Sequence, residues 1–210
     1  MYIGHFVPAE ALVAAAPSVP LWVSLVGVSF PDLLWGVLVL TGIERVEIDP
    51  DSPLQKYVRF VRYPISHSLV LTNAIACIPA ALIGYVYGYP AALVFLAASI
   101  SHWLLDAIVH LPDLPVLGFN GDTKVGLGLY KYGGIAFAFE YLLIVVGTII
   151  FVPTAAWLQT LAAGSLLHAA NANSSFGFTN TNPVKSSRQY ALLVLIGFGV
   201  AIAAFAWALG

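Results

Sequence analysis

The chain has 210 residues, of which 60% are hydrophobic and only 9% charged, whereas an ordinary soluble domain carries about 25% charged residues. Eight Lys and Arg, ten Asp and Glu and a mean hydropathy of +0.91 leave too little polar surface to cover a water-soluble globule. A net charge of −2 without a dense basic run in the sequence argues against nucleic acid as a partner, because phosphate neutralisation dominates such binding. The composition implies an all-α, polytopic helical membrane protein, a single integral membrane domain over residues 1–210.

Crossing the hydrocarbon layer takes about 20 apolar residues at about 1.5 Å each. Residues 3–16 form a first, marginal segment, either a span or a re-entrant stretch. Its opening Met1-Tyr2-Ile3-Gly4-His5 lacks the basic n-region of a secretory signal, and its Ala-rich run ends at Pro17, so the segment is expected to be retained. Stretches of full length follow at 21–42, 65–86, 91–111, 132–152 and 189–209, with a second marginal one at 155–170, about seven segments in all.

Pro17 and Pro20, Gly88-Tyr89-Pro90 and Pro153 mark tight connections on one side. Longer polar connections at 43–64, 112–131 and 171–188 lie on the other side and contain every basic residue: Arg45, Lys56, Arg59, Arg62, Lys124, Lys131, Lys185 and Arg188. By the positive-inside rule that face is cytoplasmic, which places the chain in the cell inner (plasma) membrane with its N-terminus inside and its C-terminus outside. The Asn-, Ser- and Thr-rich stretch 171–187 reads as a flexible connection, and its Asn173-Ser174-Ser175 sequon as incidental on a cytoplasmic face. Neither an internal repeat nor a pair of matching broken helices, the mark of many secondary transporters, is visible.

Carboxylates inside a bilayer cost about 2.5–3.5 kcal/mol each on insertion scales and therefore point to function. Three are read there, Asp32, Asp106 and Glu140, together with His5, His67, His102, His110 and His168, gathered toward the cytoplasmic half. Pro31 removes a helix hydrogen bond beside Asp32 and is expected to kink or break that helix. Cys77 is the only thiol, so any metal would be held by imidazole and carboxylate.

His102, Asp106 and His110 are spaced i, i+4, i+8 along one helical face, drifting about 40° per step. An i, i+4 pair can converge on one ion, as in zinc-binding H-E-x-x-H helices, whereas i and i+8 stand about 12 Å apart along the axis. Asp106 is thus placed to bridge two metals, or His110 serves in proton transfer. The blander readings are that His168 ties helices together, that Glu140 pairs with a loop cation or lines a cavity, and that Asp113 and Asp122 serve turns beside Pro112 and Pro115. Tyr and Trp are assigned mainly to lipid interfaces and packing.

In order, His5, Phe30-Pro31-Asp32, Ser66-His67-Ser68, and His102 with Asp106 follow a recognisable pattern. Over roughly the N-terminal 115 residues the chain resembles the bacterial and archaeal LexA-regulated inner-membrane metal-dependent hydrolase family (YdjM-like). Where that family has a second acidic residue after Pro-Asp this chain has Leu34, and where it has His-Arg this chain has Arg62-Tyr63 followed by Pro64. The resemblance implies metal ligands at His5, Asp32, His67, His102 and Asp106; beyond the resemblance, His110 or Glu140 is expected to serve as general base.

The expected cofactor is a divalent metal, Zn or Mn, which suits mixed imidazole and carboxylate ligands. The expected activity is hydrolysis of a lipid-linked ester or phosphoester near the cytoplasmic face, with the lipid bilayer and a lipid-like substrate as partners. The alternatives are a proton or metal-ion carrier, which would use the same groups as a relay, and a non-catalytic membrane subunit.

Overall fold

The computed structural model of the chain describes every residue except Asn120. Five helices are long and apolar enough to cross a membrane: α2 (Leu21–Leu40), α3 (Leu69–Tyr87), α4 (Tyr89–Val109), α5 (Gly133–Phe151) and α8 (Ser187–Leu209). They coincide with the five long apolar stretches of the sequence. The two marginal stretches form α1 (Phe6–Ala15), entered through a 3₁₀ turn at Ile3–His5, and α6 (Trp157–Ala170). At 10 and 14 residues these two helices measure about 15 and 21 Å, short of the roughly 30 Å hydrocarbon layer. Five helices of spanning length are therefore present among the described residues, rather than seven.

Local chemistry sets the helix ends. Ser68 caps α3, its hydroxyl accepting from the Thr72 N–H at 3.2 Å. Gly88, at φ +87, then reverses the chain in one residue before Pro90 starts α4, so α3 and α4 form a tight antiparallel pair. Ile78, Leu82, Leu142, Ile149, Leu193 and Ile196 point outward from α3, α5 and α8, an apolar exterior that suits lipid and would be unfavourable in water.

Helix α2 is the centre of the bundle, packed on α4 on one side and α8 on the other. A Cβ at Gly27 would lie 2.7 Å from Ala98 Cβ and 3.0 Å from the Phe95 carbonyl oxygen, so the absence of a side chain lets α2 and α4 approach closely. Of the two outcomes expected at Pro31, a kink or a break, the break does not occur: α2 is helical through Pro31. A proline is tolerated within a membrane helix that packs between neighbours, as α2 does between α4 and α8. Helix α1 lies inside the bundle against α2 and α5, with Ile3, Phe6 and Ala9 fully buried and Phe6 stacked on Phe205 at 4.6 Å. It also buries Glu10, whose Oε1 accepts from the Thr148 hydroxyl at 3.2 Å. Glu10 is thus a fourth carboxylate among the apolar segments, where three were expected.

The longer connections are more ordered than their composition suggests. Strands β1 (Arg45–Glu47) and β2 (Arg59–Arg62) form an antiparallel hairpin, and β3 (Leu114–Pro115) pairs with β4 (Lys124–Val125). The stretch expected to be flexible contains the short helix α7 (Asn173–Phe176). Further along it, Asn182 is fastened to the first connection, donating from Nδ2 to the carbonyls of Asp49 and Ser52 at 3.2 Å each. Tyr190 donates to Gln55 at 3.1 Å, and Tyr63 to Asp113 at 2.9 Å. All three connections consequently meet on one face of the bundle.

Candidate metal centre

The close approach of α2 and α4 at Gly27 sets the first element of the site. His102, on α4, places Nδ1 2.6 Å from the carbonyl oxygen of Val28 on α2. A carbonyl can only accept, so Nδ1 carries the proton and the neutral ring keeps its lone pair on Nε2. That Nε2 is buried without a hydrogen-bond partner among the described residues and faces two carboxylates, Asp106 Oδ2 at 3.2 Å and Asp32 Oδ2 at 3.5 Å.

His67 repeats the arrangement from the approach to α3. Its Nδ1 is 2.8 Å from Ser66 Oγ, and that hydroxyl donates onward to Glu44 Oε2 at 2.5 Å, so it accepts from His67. Glu44 is itself buried and fixed by the N–H groups of Ile65 and Ser66 at 2.7 and 3.0 Å. His67 Nε2 again faces Asp32 Oδ1 at 3.4 Å and Asp106 Oδ2 at 3.7 Å.

His110 is the third case. It caps α4: its N–H still donates to the Asp106 carbonyl at 2.8 Å and its ring stays beside Asp106, as the i+8 spacing suggested, while ψ 148 turns the chain out of the helix after it. Its Nδ1 lies 3.3 Å from Asp113 Oδ1, and its Nε2 lies 3.7 Å from Asp106 Oδ2. The same Asp113 oxygen accepts from the buried Tyr63 hydroxyl. Burial, reinforced by the Asp113 carboxylate, raises the pKa of that hydroxyl well above its usual value and keeps it a donor.

His5 approaches from the 3₁₀ turn before α1. Its ring stacks on His102 with centroids 3.6 Å apart and planes 7° apart, and its Nε2 is 3.2 Å from Asp106 Oδ1. The Met1 nitrogen lies 2.7 Å from the same oxygen. Asp106 therefore divides its carboxylate, Oδ1 toward Met1 and His5, Oδ2 toward His67, His102 and His110.

Two triplets, His5 with His102 and Asp106, and Asp32 with His67 and His102, each offer ligand atoms all within 4.8 Å of one another and could hold a metal ion. The spacing fits such an ion. A four-coordinate divalent metal with bonds of about 2.1 Å holds its ligand atoms about 3.4 Å apart, and the Nε2-to-carboxylate distances among Asp32, His67, His102 and Asp106 run from 3.2 to 3.7 Å. Since His102 has one free nitrogen, the triplets are alternative positions for its ion, and Asp106 is the residue whose two oxygens reach both.

Glu140 and His168 are engaged differently. Glu140 Oε1 accepts from the N–H groups of Tyr2 and Gly4 at 2.6 and 2.9 Å, holding the turn that carries His5. His168 lies 3.0 Å from the Phe137 carbonyl through Nε2 and stacks on the Phe137 ring at 3.6 Å, tying α6 to α5, while its Nδ1 is 4.0 Å from Glu140 Oε2. Asp122 serves the turn expected of it, accepting from Leu117 and Gly118. A cavity of about 360 Å³ reaches Asp32, His67, Asp106, His110 and Glu140 and is also lined by apolar residues of α8, including Val194 and Phe198.

Glu44, Ser66 and Asp113 thus orient the imidazoles. Sequence reasoning assigned Glu44 no role, set Ser66 only within a motif and gave Asp113 to a turn. The available signal was adjacency, since Ser66 precedes His67 and Asp113 follows His110 by three residues. No family model, no curated protein and no solved structure matches the chain.

Proposed function

We propose that this protein is a membrane-embedded metal-dependent hydrolase acting on a lipid-linked ester or phosphoester near the cytoplasmic face of the inner membrane. The observation that carries the reading is the common orientation of His67, His102 and His110: each has Nδ1 held by an oxygen and Nε2 turned toward Asp106. Metal-binding histidines are typically fixed in this way through their second nitrogen. In this reading His67, His102, Asp32 and Asp106 are ligands, His5 is an additional one with its own Nε2, which lies 3.2 Å from Asp106 Oδ1, and Zn or Mn suits the nitrogen and oxygen donor set. The order of His5, Pro31-Asp32, Ser66-His67-Ser68 and His102 with Asp106, which resembles that of the YdjM-like family, agrees with the same assignment.

A divalent ion held there would act as a Lewis acid on the scissile group and lower the pKa of an attacking water. His110 serves as general base, its Nδ1–H anchored by Asp113 so that Nε2 takes the proton. Glu140 acts as a positioning residue, because its Oε1 already accepts two backbone N–H groups. The apolar α8 wall of the cavity suits a hydrocarbon chain attached to the scissile group. The basic connections face the cytoplasm, and α1 and α6 complete the seven membrane segments by partial insertion or local thinning of the bilayer.

One observation favours a second reading, a proton or metal-ion carrier: Glu10 places a buried carboxylate beyond His5 on α1. Reconstitution in vesicles separates the two. Metal-dependent release of a labelled acyl or phosphoryl headgroup supports hydrolysis, whereas cation or proton flux without lipid turnover replaces it with transport.

A further inference from the structure

We propose that Arg45, Arg62 and Lys124 form a second site, on the loop face, that binds the phosphate of an anionic lipid headgroup. In the hairpin β1–β2, Arg45 pairs with Arg62 at the end of the ladder, beside a register irregularity between Arg45 and Val46. Like charges directly opposite each other destabilise an antiparallel pair. Lys124 joins them from the other hairpin, its Nζ 5.5 Å from the Tyr63 ring centroid. The three cations line one cavity of about 700 Å³.

The protein supplies little to neutralise them. Among the described residues Asp122 is the one carboxylate lining the cavity; its Oδ2 accepts from the backbone N–H groups of Leu117 and Gly118 at 2.7 and 2.6 Å and its Oδ1 has no hydrogen-bond partner, so it offsets one of the three positive charges and leaves two. No Lys or Arg side chain makes a salt bridge among the described residues. Membrane orientation requires basic residues in these connections but not their convergence on one cavity. A bound anion offsets the repulsion, and two guanidinium forks match the oxygens of a phosphate.

The walls of the cavity favour a lipid over a free anion. Val61 and Phe119, 51% and 62% exposed, stand beside the cations. Pro64 and Ile65, also in the lining, lie about one turn before the start of α3, so the cavity sits at the level where a spanning helix begins. Cations flanked by exposed apolar side chains suit a phosphate tethered to hydrocarbon. The site shares none of the imidazole or carboxylate groups of the candidate metal centre, so each can fail without the other.

The test uses detergent-purified full chain titrated with phosphatidylglycerol or phosphatidylcholine in mixed micelles, read by the thermal unfolding midpoint. Phosphatidylglycerol should raise the midpoint saturably and phosphatidylcholine should not. The Arg45→Gln/Arg62→Gln double variant should bind phosphatidylglycerol about tenfold or more weakly, with a midpoint in phosphatidylcholine equal to or above that of the wild type, because the like-charge repulsion is gone, and unchanged metal content. If that variant does not fold, Lys124→Gln should show the same loss in smaller measure. Lys131→Gln/Lys185→Gln, which removes two charges elsewhere on the face, should retain the response. Absence of a phosphatidylglycerol effect, or an equal loss in the Lys131/Lys185 variant, would overturn the proposal. Equal stabilisation by inorganic phosphate at the same concentration would overturn the assignment to lipid.

Discussion

His102 on α4 and Val28 on α2 are joined by a 2.6 Å hydrogen bond from an imidazole Nδ1 to a backbone carbonyl. That contact couples helix packing to the candidate metal centre, because it fixes both the position of α4 against α2 and the nitrogen that His102 presents to Asp32 and Asp106. It depends on Gly27, where a Cβ would lie 2.7 Å from Ala98 Cβ. Gly27→Ala should therefore destabilise the fold by about 1–3 kcal/mol, as overpacking does, and weaken metal binding at the same time. Thermal unfolding and metal titration on one preparation check this; lowered stability with undiminished metal affinity would uncouple packing from the site.

Ser66 stands between Glu44 and His67 and passes one hydrogen bond to the next. Ser66→Ala removes the acceptor for His67 Nδ1 while leaving Glu44 its bonds from the Ile65 and Ser66 backbone N–H groups. Loss of such an orienting partner costs about 10–100-fold in metal affinity. Competition with a chelator of known affinity measures it, and wild-type affinity in Ser66→Ala would remove the relay from the account.

Glu140 and His110 are separable by chemistry. Glu140→Ala leaves the N–H groups of Tyr2 and Gly4 without their acceptor, at about 1–3 kcal/mol each, and should speed hydrogen exchange over residues 2–5. Glu140→Gln retains an acceptor oxygen and should remain close to wild type in stability and turnover. His110→Ala should lose about 10²–10⁴-fold in turnover, the usual worth of a general base, while keeping its metal. If Glu140→Gln is folded and metal-loaded yet as inactive as His110→Ala, the base is Glu140.

The five spanning helices were legible because apolar length alone identifies a bilayer-crossing segment, and Gly88 with Pro90 places the sharpest turn between them. Asp32, Asp106 and the histidines stood out for the same reason, as polar groups in segments that otherwise exclude them. Glu44 and Asp113 did not, since a carboxylate in a polar connection has an ordinary explanation and only tertiary contact shows it buried or reaching an imidazole. Glu10 was overlooked within a segment whose short apolar run gave little contrast. The hairpins escaped notice because strands of two to four residues are too short to display a period of two. At Pro31 the break that the sequence allowed does not occur, since a helix packed between two others can continue through a proline.

The most direct test of the central claim is the metal content of detergent-purified protein after metal-replete expression, compared with His102→Ala and Asp106→Ala preparations matched for folding. The account predicts near-stoichiometric Zn or Mn in the wild type and its loss in both variants, because both residues supply atoms that face the shared ligand space. Well-folded wild type with only trace metal, or variants that retain it in full, would contradict the account.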